Sequence, residues 1–195
     1  MTLVAIVYHS GFGHTKKQAA AVAEGVRQAG AEAALHAAED FPAPENNQYS
    51  GPWDVLAKAD AIVFGCPTYM GSVTASLKVF MENSSGVWFQ QGWKDKLAGG
   101  FSNSGSLAGD KLNTLQDLMC FAGQHSMIWV SLGMMPPGDE AGRAPDKPNR
   151  MGGFLGAYAQ SNNVSPEEAP PAGDLETARF YGSRIASLAE RMSAS

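Results

Sequence analysis

The sequence predicts an α/β fold: a single domain, residues 1–195, on a doubly wound parallel sheet of five strands. Three observations predict it. Short apolar β-rich runs alternate with helix-patterned segments along the chain. The runs are almost continuously apolar, as strands covered by helices on both faces must be. Three of them end in small, polar, Gly/Ser-containing clusters, where an open α/β sheet keeps its binding loops.

Leu3–Tyr8 reads as a buried strand. His14–Ala29, rich in Ala, Gln and Lys and free of proline, reads as a helix ended by Gly30. Glu32–His36 alternates weakly as a second strand, and the proline-, Asn- and Ser-bearing stretch Phe41–Pro52 reads as a loop. Asp54–Ala59 is a short helix, Ala61–Gly65 the third strand, Cys66–Ser72 a turn and Thr74–Asn83 a helix. A loop carrying Trp88 and Trp93 leads to the strand Leu97–Ser102, the loop Asn103–Gly109 and the helix Leu112–Ala122. Met127–Leu132 is the last clear strand. Gly133–Gly156 is a long Gly/Pro/polar excursion, too long for a plain connection, and is expected to be functional or an interface arm. An amphipathic helix, Leu175–Met192, closes the chain.

Composition narrows the function. With 19 acidic residues against 14 basic ones, the net charge of -5 argues against phosphate-neutralising nucleic-acid binding. It is also modest for a carrier that docks on basic partners. Two cysteines in apolar runs suit a reducing cytoplasm. The opening M-T-L-V-A-I-V-Y has no basic n-region or long h-region, so neither a secretory leader nor membrane insertion is expected.

The chemistry should sit in the loops after Tyr8, Gly65 and Ser102. The first, S-G-F-G-H-T (Ser10–Thr15), joins a strand to a helix. Its glycines allow a tight turn, its amides face an anion, and Ser10, Thr15 and His14 add donors. A plain capped helix start is the alternative. G-x-G-x-x-G fails at Lys16, and no P-loop is present, which removes the main support for a Rossmann dehydrogenase or an ATPase. The second loop, C-P-T-Y-M-G-S, offers Pro67, Thr68, Tyr69, Met70 and Gly71 as a stiff exit, a hydroxyl, an aromatic wall and backbone groups for a flat heterocycle. A phosphatase loop would need arginine where Ser72 stands, so Cys66 reads as a small strand-end residue. The third loop, N-S-G-S-L-A-G, adds Asn103, Ser104, Gly105 and Ser106.

The histidines share no metal-ligand spacing, and no metal site is expected. His125 precedes the last strand and is a candidate to reach the cleft; Trp88 is a candidate lid residue, and Trp93 packs in the core or lines the cleft.

The runs Y-H-S-G-F-G-H-T, D-A-I-V-F-G-C-P-T-Y-M-G, K-L-A-G-G-F-S-N-S-G-S and E-T-A-R-F-Y-G carry a recognisable pattern over nearly the whole chain. It resembles the flavodoxin-like NAD(P)H:quinone oxidoreductases of the WrbA type, within the NADPH-dependent FMN reductases. The resemblance implies a flavodoxin-like sheet with strand order 2-1-3-4-5, FMN as cofactor and NAD(P)H as co-substrate. It implies Ser10, Phe12, Gly13, His14 and Thr15 at the phosphate, Thr68, Tyr69 and Met70 at the isoalloxazine and ribityl, and Asn103 to Ser106 beside them. It places Phe12 and Trp88 on the substrate side, where a family histidine falls on Gln124, one step from His125. It further implies a quinone or similar acceptor and a homodimer or homotetramer. Leu107 and Ala108 depart from a glycine-rich third loop, and Met134–Met151 departs from the quinone reductase pattern. A one-electron carrier and a non-catalytic FMN-binding protein are the rival readings.

Overall fold

A computed structural model describes residues 1–46 and 48–193. Asn47, inside the predicted loop Phe41–Pro52, lies outside the described residues, as do Ala194 and Ser195.

The strands are β1 (Leu3–Tyr8), β2 (Glu32–Ala37), β3 (Ala61–Pro67), β4 (Leu97–Ser104), β5 (Ile128–Trp129) and β6 (Ala157–Gln160). The helices are α1 (His14–Gln28), α2 (Pro52–Lys58), α3 (Ala75–Asn83), α4 (Ser85–Phe89), α5 (Lys111–Gln124) and α6 (Ala172–Ser193). All pairings are parallel, in the order β2-β1-β3-β4-β5, with β6 also on β4. This is the expected doubly wound sheet.

The fifth position differs from the single strand, Met127–Leu132, that the sequence predicts. The ladder is instead split: β5 pairs with Leu97 and Ala98, while β6 pairs with Phe101 to Ser104. The excursion between them leaves after Leu132, whose N–H bonds the Phe154 carbonyl at 2.8 Å. It lies against the start of α6: Asn149 N–H donates to Thr177 Oγ1, and Gly173 N–H to the Pro145 carbonyl. A four-residue strand after so long an insertion gives too few residues for period-2 alternation to register.

Alternation along β1 and β3 sorts the core into two layers. Val4, Ile6 and Val63 pack with α1 and α6 through Val22, Val26, Tyr181 and Ile185. Ala5, Val7, Ile62 and Phe64 pack with α2, α3 and α5 through Trp53, Phe80, Trp93 and Leu118. Trp93 is therefore a core residue, 1% exposed, stacked with Trp53 and Phe80. Because the chain goes from β1 out to β2 and then back past β1 to β3, the sheet reverses winding between β1 and β3. The crevice at their carboxyl ends is the expected ligand position.

Candidate functional site

A cavity of about 400 Å³ opens at that point. Four loops line it. From the first come Ser10, Gly11, Phe12, His14 and Thr15; from the second, Pro67, Thr68 and Tyr69; from the third, Asn103, Ser104 and Gly105. The fourth, after β6, supplies Ser161 and Asn163 to Pro166 and is not among the three loops that the sequence predicts. Its signal was present: A-Y-A-Q followed by the polar cluster S-N-N-V-S-P is a strand tip of the kind that marked the other three.

The first loop is a nest of amide donors. Ser10 Oγ accepts the N–H groups of Gly13 and Lys16, both at 3.1 Å, which closes the turn. Gly13 starts α1 at φ 93, a left-handed conformation that disfavours any side chain. Gly13 thus shapes the loop, although it is not part of the cavity wall. The N–H groups of Gly11, Phe12, His14 and Thr15 meet no acceptor among the described residues. His14 is 8% exposed, and its Nε2 lies 2.8 Å from the Val164 carbonyl. A carbonyl can only accept, so Nε2 carries the proton and that N–H is already engaged.

The second loop is a two-residue turn. Tyr69 and Ser72 exchange backbone hydrogen bonds of 3.1 and 3.2 Å, with Met70 at φ 51 and Gly71 at φ 81 between them. Both central residues have positive φ, as a type I′ turn demands. Met70 and Gly71 form the tip; the Met70 side chain is fully exposed, and neither residue lines the cavity. Met70, expected at the isoalloxazine, thus stands at the tip of the turn and off the cavity wall.

Helix α5 positions this turn. Asn113 Nδ2 donates to the Gly71 carbonyl at 2.7 Å, Ser72 Oγ to Asp117 at 2.6 Å, and the Thr68 hydroxyl sits between Ser102 Oγ and Thr114 Oγ1. The third loop hangs from the same helix through Lys111, which the sequence reading passed over. Ser106 lies beside that lysine, off the cavity wall. Asn103, 4% exposed at the wall, has a side-chain Oδ1 with no partner.

Trp88 and His125 are not brought to the cavity. In a parallel sheet the return helices run away from the strand tips. The 14 residues of α5 therefore carry His125 about 20 Å from the third loop. His125 is 2% exposed there and packs on Trp93 and Phe121. Trp88 lies beyond α3 for the same reason, on the surface helix α4.

Among the described residues no Lys or Arg lines the cavity, and no group of three His, Cys, Asp or Glu could hold a metal. Burial pushes the Cys66 thiol up to about 12, so it is no nucleophile. The arrangement can bind an anion through main-chain amides and a flat polar ring beside it.

Sheet order, crevice and amide nest together define a flavodoxin-like nucleotide-binding protein. The family model described as NADPH-dependent FMN reductase matches residues 4–135, and the chain belongs to that family. It is 42% identical over 194 residues to "Flavodoxin FldP" of Pseudomonas aeruginosa, covering 100% of both chains. It is 31% identical over 204 residues to an "NAD(P)H dehydrogenase (quinone)" of Geobacter sulfurreducens, covering 97% of this chain and 98% of that one. Among solved structures, a flavodoxin, WrbA-like protein from Agrobacterium tumefaciens matches with a TM-score of 0.72 at 42% identity. It covers 98% of this chain and 99% of its own. No helix among the described residues is long and apolar enough to cross a membrane.

Proposed function

We propose that the cavity holds FMN, and that the protein passes two electrons from NAD(P)H to a quinone-like acceptor. The observation that carries the reading is the set of four unengaged amides from Gly11, Phe12, His14 and Thr15, at the start of a 15-residue helix. A phosphate monoester, carrying roughly -1.5 to -2 charge, suits such a donor set without any cation. Ser10 and Thr15 add hydroxyls. The unpaired Oδ1 of Asn103 fits a ring edge that donates an N–H, since a buried acceptor without a partner is costly.

When bound, the flavin supplies the hydride chemistry. The chain binds and orients it. Pro67, Thr68 and Tyr69 would wall the ring on one side, and the loop 161–166, tied to the start of α1 through His14, would lie beside the phosphate. Phe12 and Tyr69 are aromatic faces for stacking a second flat molecule.

The exposed large apolar residues on these loops are Phe12, Tyr69, Met70, Leu107 and Val164. That composition supports a small apolar acceptor, such as a quinone, over a basic protein partner. The same proposal includes a homodimer or homotetramer; the exposed pair Trp88 and Phe89 on α4 supplies an apolar patch for it, and light scattering tests it.

The test is a visible spectrum of the purified protein. It should show bound flavin, bleach with NADPH under anaerobic conditions, and recover with benzoquinone. Protein that takes up no FMN would end the cofactor reading. Bound flavin that NADPH does not bleach would end the enzyme reading. It would leave the second reading, a one-electron carrier, which the relative named flavodoxin favours. Photoreduction that accumulates one-electron-reduced flavin would mark the carrier.

A further inference from the structure

Beneath the third loop lies a buried cluster of charge. Lys111, at the start of α5, has no exposed surface. Its ammonium donates to Ser104 Oγ at 2.7 Å, to the Ser106 carbonyl at 3.0 Å and to the Leu107 carbonyl at 2.9 Å, so all three protons are engaged. Among the described residues no carboxylate pairs with it. The nearby carboxylate, Asp174 on α6, is held by Arg150 of the excursion, Nε to Oδ1 at 2.8 Å and Nη2 to Oδ2 at 3.1 Å. Asp174 Oδ2 also accepts the Gln160 N–H at 2.9 Å. Two buried cations therefore share one carboxylate, and the surplus charge is on Lys111. The Tyr158 ring of β6 lies under the ammonium, 5.9 Å from its centroid.

The same hydrogen bonds set the polarity of the loop. Carbonyl oxygens are drawn inward: Ser104 by the Ser161 N–H, Gly105 by Gln160 Nε2, Ser106 and Leu107 by Lys111, Ala108 by the Lys111 N–H. The N–H groups of residues 105–109 meet no acceptor among the described residues. Ser104, which accepts from the ammonium, is itself a wall of the cavity.

We propose that Lys111 is a positioning residue of the cavity: it turns the amides of the third loop outward and is the buried counter-charge for an anionic ligand, favouring reduced over oxidised FMN. This rests on the FMN reading above. An unpaired buried ammonium is costly unless a negative charge arrives near it. Burial lowers its pKa to about 8, Asp174 opposing and Arg150 adding to the fall, so it is still charged at neutral pH in the free protein. A flavin that gains negative charge on reduction supplies the missing partner.

The test compares wild type with Lys111→Met and Lys111→Gln. Oxidised-FMN affinity comes from fluorescence titration of apoprotein, and the two-electron midpoint potential from equilibration with a reference dye. We expect the preference for reduced over oxidised FMN to fall about tenfold in both variants, a drop of about 30 mV for a two-electron couple. NMR order parameters of residues 105–109 in the apoprotein should fall as well. FMN bound by both variants with the wild-type potential would overturn the assignment of Lys111 while leaving the cofactor reading intact. A loss of ordered loop structure with an unchanged potential would overturn the counter-charge. Wild-type protein that binds no FMN would overturn the cofactor reading itself and this proposal with it.

Discussion

His14 and Val164, 150 residues apart, are joined by one hydrogen bond: the imidazole Nε2 lies 2.8 Å from the Val164 carbonyl oxygen. The bond ties the loop 161–166 to the first turn of α1, next to the four unengaged amides. Lys17 Nζ adds a second tether, to the Pro166 carbonyl. One wall of the cavity is therefore held by the helix that would bind the phosphate.

Replacing His14 with Ala should free that wall. A neutral hydrogen bond is worth about 0.5–1.5 kcal/mol net, so FMN affinity should fall roughly three- to tenfold. Fluorescence titration of apoprotein measures this, and limited proteolysis should cut 161–166 faster. Unchanged affinity and unchanged cleavage would mean that the other tethers, Lys17 to Pro166 and Ser161 to Ser104, hold the loop without the imidazole.

His125 makes stability fall in acid. Ser84 Oγ donates to the Met81 carbonyl at 2.7 Å and so accepts from His125 Nε2 at 2.9 Å, leaving Nδ1 buried and unpaired. Protonating Nδ1 would bury an N–H with no acceptor, and burial lowers the pKa to about 4. The unfolded histidine titrates near 6.5, so below that value the unfolded state binds more protons. The stability contribution is full above about pH 6.5 and is lost as pH falls toward 4, about 3 kcal/mol over the window. Urea denaturation at pH 7 and pH 4.5 should show this difference in wild type. It should be nearly absent in His125→Phe; an equal loss there would assign the acid sensitivity to other groups.

The contact between α1 and α6 depends on two glycines. A Cβ on Gly25 would lie 1.8 Å from the Arg179 carbonyl oxygen, and one on Gly182 2.0 Å from that of Val22. Backbone meets backbone at both, so neither clash can be relieved by a side chain turning. Gly25→Ala and Gly182→Ala should each destabilise by at least about 1–3 kcal/mol, the range for overpacked cores. A thermal melt of the apoprotein checks it; an unshifted midpoint would show that the helices part freely.

Met70 should be improvable. A side chain at φ 51 carries roughly 1–2 kcal/mol of strain, and this one reaches solvent rather than the cavity. Met70→Gly should raise apoprotein stability by about 0.5–1 kcal/mol after the entropy cost of glycine, with FMN affinity unchanged. A marked loss of FMN affinity would show instead that the methionine folds over the bound flavin, the role first expected of it.

The sheet, its winding and three of the four loops at the crevice are legible in the order of residues along the chain. These are local properties: apolar runs such as A-I-V-F specify buried strands, and S-G-F-G-H-T specifies a tight strand-to-helix turn. Parallel winding then forces all such turns to one edge. The remaining features depend on contacts between distant segments, and the packed fold sets them. It split the fifth strand and delivered 161–166 to the cavity, because a four-residue strand is specified by its partner β4 more than by its own pattern. It kept His125 and Trp88 off the cavity wall, because return helices carry whatever follows them to the far edge. It also gave Lys111 its place: a lysine opening a helix looks solvated in sequence, and only the carbonyls of a loop folded over it make it a buried charge.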